Sequence, residues 1–388
     1  MTPSNKVNFV NLAKLHAPIA AQLDQAALRV LREQRYIHGP DVREFEKEMA
    51  ATLDGAPVCG VSCATFGLLV ALKALGIGPG DEVITTPLTA IATAEAISLA
   101  GAKVVFADLE PNGYCLDPQD VRRKITPRTR AIIPVHIYGL AADLDAFQEV
   151  CREHGLKLIE DCAQAQGARH RGRRVGTIGD AGVYSFFPSK NLGGFGDGGA
   201  VTAQDPQVLR RARMLANHGR ESKYDHELVG MNSRLDTMQA ALLRVCLPLL
   251  DQWNAARAAA AKVYDQLLAD IPAVRIPQVR PGTSPVYHLY VVRVPDREAL
   301  ADYLRSRGID TGLHYPQSLH ECSAYLHLGY KLGDLPHAEA TCRSVLSLPM
   351  HPCITREEVE TVCAAIAEYF RAKQSTGARA CKAASVPA

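Results

Sequence analysis

In Leu158-Ile159-Glu160-Asp161-Cys162-Ala163-Gln164 an apolar run stops at a carboxylate. Immediately before it, Leu144–His154 reads as a helix, with Lys157–Ile159 as the strand it feeds. Upstream the same alternation repeats. Val58–Val61, Glu82–Thr85, Ala102–Ala107 and Ala131–Val135 read as strands, and Gly182–Phe187 follows as another. Val42–Leu53, Thr65–Ala74, Thr89–Ala100 and Pro118–Lys124 read as the helices between them. Strands that are apolar throughout, alternating with helices, indicate a mostly parallel sheet covered on both faces. Gly-Pro-Gly-Asp at 78–81 is the turn into one of these strands. In such α/β sheets ligands bind at the carboxyl ends of the strands, which is where Asp161 falls.

A second half-site follows in Ser185-Phe-Phe-Pro-Ser-Lys190-Asn-Leu-Gly-Gly-Phe-Gly-Asp-Gly-Gly199. One amine sits on a glycine-rich loop after an apolar strand, placed to condense with a carbonyl as a Schiff base. Pyridoxal phosphate needs such an amine for its aldehyde, an anion for its ring nitrogen and a donor cluster for its phosphate. Asp161 is the candidate anion, and Gln164 is placed to bond the ring's phenolic oxygen. Ser62-Cys63-Ala64-Thr65 lies between a strand and a helix, so Thr65 is near free N–H groups and the positive end of a helix dipole. Ser185 can add a hydroxyl to the same anion. Gly194 to Gly199 also matches the dinucleotide pattern G-x-G-x-x-G, but Ala200-Val201-Thr202-Ala203 reads as a strand where that motif requires a helix. An NAD-dependent reductase is therefore rejected.

Downstream, Asp236–Leu268 reads as a long helical segment with Pro248 as its break point. It is followed by a strand (His288–Val294), a helix (Asp296–Ser306) and a last helix (Arg356–Phe370). The expected organisation is an N-terminal arm (1–40), a large cofactor-binding domain (41–250), a smaller C-terminal α+β domain (251–372) and a flexible tail (373–388). With 388 residues, 47% apolar and a net charge of +2, the chain has ample core and no basic stripe for nucleic acid. The first residues lack the apolar centre of a signal peptide, and no run of about 18 apolar residues occurs. The eleven cysteines are scattered without a Cys-x-x-Cys pair, which argues against a disulfide frame or a metal site. A cytoplasmic protein that binds neither metal nor membrane is expected.

Taken together, the chain resembles the DegT/DnrJ/StrS family of sugar aminotransferases, from about Ile37 to Phe370. The likeness is carried by Ile37-His-Gly-Pro40, Glu44-Phe-Glu46, Gly80-Asp-Glu-Val-Ile84, Ile91-Ala-Thr93, Val135-His136 with Tyr138-Gly139, Glu160-Asp161 with Ala163-Gln164, and Phe187-Pro-Ser-Lys-Asn191. Further on come Asn217-His-Gly219, Gly230-Met-Asn-Ser-Arg-Leu-Asp236, His314-Tyr-Pro316 and Leu348-Pro349. The resemblance implies the aspartate aminotransferase type I fold and pyridoxal 5'-phosphate as cofactor. It implies Lys190 as the catalytic amine and proton shuttle, with Asp161, Gln164, Ser185, Ala64, Thr65 and Phe66 around the cofactor. Asn232 would reach the phosphate from the other subunit of a homodimer with shared sites. His314, Tyr315 and Arg234 are candidates for the substrate side. The implied reaction moves an amino group from glutamate to a keto group of a nucleotide-linked sugar, with C3 favoured from Lys223-Tyr224-Asp-His226 and its surroundings.

Three departures stand out. Cys63-Ala64-Thr65-Phe66 replaces the usual Ser-Gly-Thr and small residue. Ala90 follows Thr89 where an aromatic usually covers the ring. The lysine is kept where dehydratase relatives carry histidine. The alternatives are an aminotransferase on a cyclic ketone such as an inosose or on an aromatic precursor, and a non-catalytic relative that binds cofactor or sugar nucleotide.

Overall fold

The computed structural model describes the backbone of residues 6–383 and the side chains of 6–373. Seven strands form the central sheet: β1 (Val58–Val61), β2 (Glu82–Thr85), β3 (Lys103–Phe106), β4 (Thr129–Ile133), β5 (Lys157–Asp161), β6 (Ala181–Ser185) and β7 (Gly199–Thr202). Their spatial order is β1-β7-β6-β5-β4-β2-β3. The pairs β2–β3, β2–β4, β4–β5 and β5–β6 are parallel, whereas β7 runs antiparallel between β6 and β1. Helices cover both faces, so Val83, Ile84, Ile132, Ile133, Ile159 and Val183 have no exposed surface at all. This is the burial that apolar parallel strands require.

Register does the positioning. Asp161 pairs with Val183, Ser185 with Gly199, and Gly199 with Val61. The carboxyl ends of β1, β5 and β6 therefore lie on one edge of the sheet, with the start of β7 between β1 and β6. At Gly199 a Cβ would come within 2.8 Å of the Cys63 carbonyl carbon and 2.9 Å of Ala64 N. Only glycine lets the turn after β1 approach Ser185 so closely.

The helix Leu250–Leu268 joins two hydrophobic cores. Leu250 and Trp253 belong to the core around the sheet. Ala260, Ala261, Tyr264 and Leu268 belong to a second one with Leu300, Leu304, Val359 and Ile366. The second core is roofed by an antiparallel pair, Tyr290–Arg293 against Val345–Leu348.

The helical segment breaks at Pro248 as the sequence reading has it, into Thr237–Cys246, one 3-10 turn Leu247–Leu249 and Leu250–Leu268. Other elements differ from that reading. The expected arm contains a helix, Ala20–Glu33, whose Leu23 joins the main core, as does Ile19 just before it. Helices Pro206–Ala216 and Pro336–Ser344 and the strand Val345–Leu348 were not anticipated. The last helix runs to Ala383 rather than stopping at Phe370, since Ala, Lys and Arg dominate its extension and favour continued helix. Residues 384–388 lie outside the described residues. No helix among the described residues is long and apolar enough to cross a membrane.

Candidate active site

Asp161 ends β5 and is 4% exposed. Its Oδ2 accepts the Thr93 hydroxyl at 2.8 Å, and its Oδ1 accepts Ala163 N–H at 3.1 Å. Thr93 comes from the helix Ala92–Leu99 and is itself held by Thr89 at 3.0 Å. The helix begins at Ala92, not at Thr89, so Thr89 lies in the turn before it and Thr93 in its first turn. Burial raises the Asp161 pKa, although Ala163 N–H, the Thr93 hydroxyl and the charge of Lys190 pull it down. A carboxylate offers about four lone-pair positions and two are used, so it has room for another donor, preferably cationic.

The neighbouring Glu160 points the other way and anchors the loop 176–179. Oε2 accepts Gly176 N–H at 2.6 Å, and Oε1 accepts those of Ile178 and Gly179, each at 2.7 Å. His136 completes the set at 3.1 Å from Oε2. The His136 Nδ1 accepts Ala142 N–H, so its Nε2 carries the proton that Glu160 receives. Cys162 lies within ligand range of both, but the donors around Glu160 leave no acceptor for a cation. Burial raises the Glu160 pKa, yet the hydrogen bonds from His136 and the backbone outweigh it and the pKa is lowered.

Glu160→Gln would put one NH2 among these donors and leave at least one N–H unsatisfied. A loss of about 3 kcal/mol is expected, read by urea unfolding. A carboxylate whose pKa is depressed on folding contributes stability above its unfolded pKa and loses it as pH falls through the folded value. The gap between wild type and variant should therefore close in acid.

Lys190 is half-buried on the loop after β6, its N–H bonded to Phe187 O at 2.8 Å. Burial lowers its pKa to about 8, and only the charge of Asp161 opposes that. The two groups expected to act together are thus electrostatically coupled. Next to them is an anion cradle. The helix Ala64–Ala74 has no side-chain cap, and its first intrahelical bond is Gly67 N–H to Cys63 O. The N–H groups of Ala64, Thr65 and Phe66 are left for another partner. Ser185 Oγ accepts Phe187 N–H at 3.3 Å, which keeps its own hydrogen free to donate. An amine, a buried acid with spare lone pairs and an uncapped helix end beside a free hydroxyl fit pyridoxal phosphate.

Gln164 is held by Tyr138 N–H at 2.7 Å to Oε1, and its Nε2 donates to the Tyr315 hydroxyl at 3.3 Å. Tyr138 takes a positive φ of 59°, and the adjacent Gly139 could not carry a Cβ without meeting Tyr287 N and His288 N at 2.9 Å. The Tyr138 hydroxyl bonds His314 O. Burial and Lys190 lower the His314 pKa to about 4. Lys190, Asp161, Gln164, His314 and Tyr315 therefore form one connected group.

Arg234 is elsewhere: its Nη1 donates to Asn217 at 3.2 Å, in a cleft it shares with His38, Arg43 and Arg213. Asn232 is exposed, with its backbone bridged to Asn217. Between them, Ser233 Oγ lies 3.0 Å from Ser62 Oγ, next to the cradle. Phe66 is 38% exposed in the first helical turn. Thr93, His136, Tyr138, Asn191 and His288 are site residues for which the sequence suggested no individual role.

The profile of the DegT/DnrJ/EryC1/StrS aminotransferase family matches residues 18–367. Over 364 residues the chain is 46% identical to dTDP-3-amino-3,4,6-trideoxy-alpha-D-glucose transaminase of Streptomyces venezuelae, covering 94% of this chain and 96% of that one. It is 40% identical over 362 residues to UDP-2-acetamido-2-deoxy-3-oxo-D-glucuronate aminotransferase of Pseudomonas aeruginosa, with 93% and 99% coverage. The crystal structure of S. venezuelae DesV in complex with a ketimine intermediate superposes with a TM-score of 0.92 at 46% identity, covering 94% of this chain and 99% of that one.

Proposed function

The chain belongs to the DegT/DnrJ/EryC1/StrS aminotransferase family, and from that premise we propose that it uses pyridoxal 5'-phosphate to move an amino group from glutamate to C3 of a nucleotide-linked 3-keto sugar. The single observation that carries the reading is the coupling of a half-buried lysine, Lys190, to a buried acid, Asp161, beside an uncapped helix end. The two relatives named above differ in nucleotide and in sugar, but both names place the chemistry at position 3.

When bound, pyridoxal phosphate supplies an aldehyde for amine exchange and a ring that takes up the electrons of a breaking C–H bond. Asp161 would hold a proton on the ring nitrogen, and Thr93 and Ala163 hold Asp161. Ala64, Thr65, Phe66 and Ser185 would donate to the phosphate. Gln164, fixed by Tyr138 and Tyr315, would bond the ring oxygen. Lys190 Nζ would take up and return the proton, a role worth about 10²–10⁴-fold. His314 and Tyr315 face the substrate. Asn232 and Arg234, both tied to Asn217 in their own chain, serve the site of a second copy in a homodimer. The two hydrophobic cores correspond to the large and small domains.

Glutamate and a panel of dTDP-, UDP- and GDP-linked 3-keto and 4-keto sugars, followed by mass, test the reading. Amination confined to 4-keto sugars, or to a non-nucleotide ketone such as an inosose, overturns the substrate assignment.

A separate expectation concerns pH. A neutral amine attacks an aldehyde, and Lys190 becomes neutral near pH 8 rather than above 10. Uptake of pyridoxal phosphate by cofactor-free protein, followed by visible absorbance, should accelerate with rising pH and reach half its plateau rate at about pH 8.

A further inference from the structure

Asn191, the residue after Lys190, is 2% exposed. Its Nδ2 donates to Asn254 Oδ1 at 2.7 Å and to Val286 O at 3.0 Å. A backbone carbonyl only accepts, so the Val286 contact fixes which end of the amide is nitrogen. Asn191 Oδ1 therefore accepts, and its partner is His288 Nδ1 at 3.2 Å. His288 carries its proton on Nδ1, and its Nε2 bears a lone pair.

That lone pair has no hydrogen-bond partner among the described residues. The residue is 6% exposed and cannot easily turn away. Asn191 holds one side, and the residue's own carbonyl accepts Arg257 Nη1 at 3.2 Å. Asn254, on the helix that links the two cores, ties the same group to Gln166 O at 2.9 Å, and Gln166 reaches Ser185 O. Lys190 lies within electrostatic reach of His288 but is not bonded to it.

We propose that His288 is a positioning residue for Lys190: whenever the lysine amine is free, the Nε2 lone pair receives one of its N–H groups and keeps it aimed for proton transfer. This rests on Lys190 being the reactive amine. The imidazole can play the part because burial and the surrounding positive charge keep it neutral. The charged and titratable groups facing it are Lys190, Arg257 from the helix Leu250–Leu268 and His314 from the segment after Arg297–Ser306. Asp161, from β5, is the acid whose charge acts on Lys190.

The test uses cofactor-free full-length protein. Lys190 acylation by acetic anhydride, mapped by mass against pH, gives the apparent pKa of the amine. In His288→Leu the ammonium loses a charge-assisted acceptor, so Lys190 should titrate lower and acylate about tenfold faster at pH 7. Reconstituted kcat should fall by about the same factor. His288→Gln can donate to Asn191 and still accept through Oε1, so it should restore both quantities to within about threefold.

A lower melting temperature and kcat with an unchanged Lys190 titration would mean a merely structural histidine and would overturn the proposal. So would failure of Gln to rescue. If His288→Leu does not fold, ¹⁵N imidazole spectra of wild type and Lys190→Ala decide, with His288→Gln for assignment. A protonated Nε2, or a His288 signal indifferent to Lys190→Ala, sinks it. Because acylation needs no cofactor, this result stands apart from whether pyridoxal phosphate binds.

Discussion

Replacing Lys190 by alanine should lower kcat by about 10⁴-fold or more, with the protein still folded. Proton transfer by a positioned group accounts for roughly 10²–10⁴ of that, and loss of the covalent tether adds to it. The fold should tolerate the change because no hydrogen bond or ion pair fixes the Lys190 side chain among the described residues. Stability gives a second readout. The lysine pKa drops from the ordinary value to about 8 on folding, mainly by burial. Between pH 8 and about 10.4 the unfolded chain then binds more protons than the folded one. Wild-type stability should rise with pH across that window, and Lys190→Ala should lose this rise. Borohydride reduction of the pyridoxal phosphate complex followed by peptide mapping should label Lys190. A variant that turns over keto sugar at the wild-type rate, or a label on another lysine, would falsify the assignment.

The parallel sheet was legible because its strands are apolar on both faces, a pattern that an amphipathic surface strand does not show. The direction of Gly199–Thr202 was not. The connection 186–198 is long enough for either a hairpin or a crossover, and only its contacts decide. Rejecting the dinucleotide motif did not depend on direction, since a strand follows the glycines either way. The helix Ala20–Glu33 escaped notice because Ile19 at its start offers no capping side chain and few of its residues are buried. Asp161 and Lys190 could be found because each follows an apolar run at a strand end. Thr93, Asn254 and His288 are ordinary polar residues whose meaning comes from partners 68, 63 and 97 positions away. Arg234 shows the reverse: two positions from Asn232 in sequence, it bonds Asn217 in a separate cleft of its own chain.

Asp161→Asn separates the two jobs of that carboxylate, because it removes the charge and little else. The side chain keeps its shape. Its oxygen can still accept Ala163 N–H, and its NH2 can donate to the Thr93 hydroxyl, which can turn to accept. Folding stability should change little, and relief of a buried charge could offset any hydrogen-bond loss. Turnover should not survive as well. A unit charge about 4 Å from a cationic ring nitrogen is worth about 4 kcal/mol at an effective dielectric of 20, or roughly 10³-fold. The same substitution acts on Lys190 with the opposite sign. The Asp161 charge is what holds the lysine pKa up against burial. Without it the amine should titrate below 8 and take up pyridoxal phosphate faster at pH 7. Faster cofactor uptake with a kcat reduced about a thousandfold is therefore the expected pair of results. If both rates fell together, the loss would lie in binding or folding, and Asp161 would not be the electronic partner of the ring.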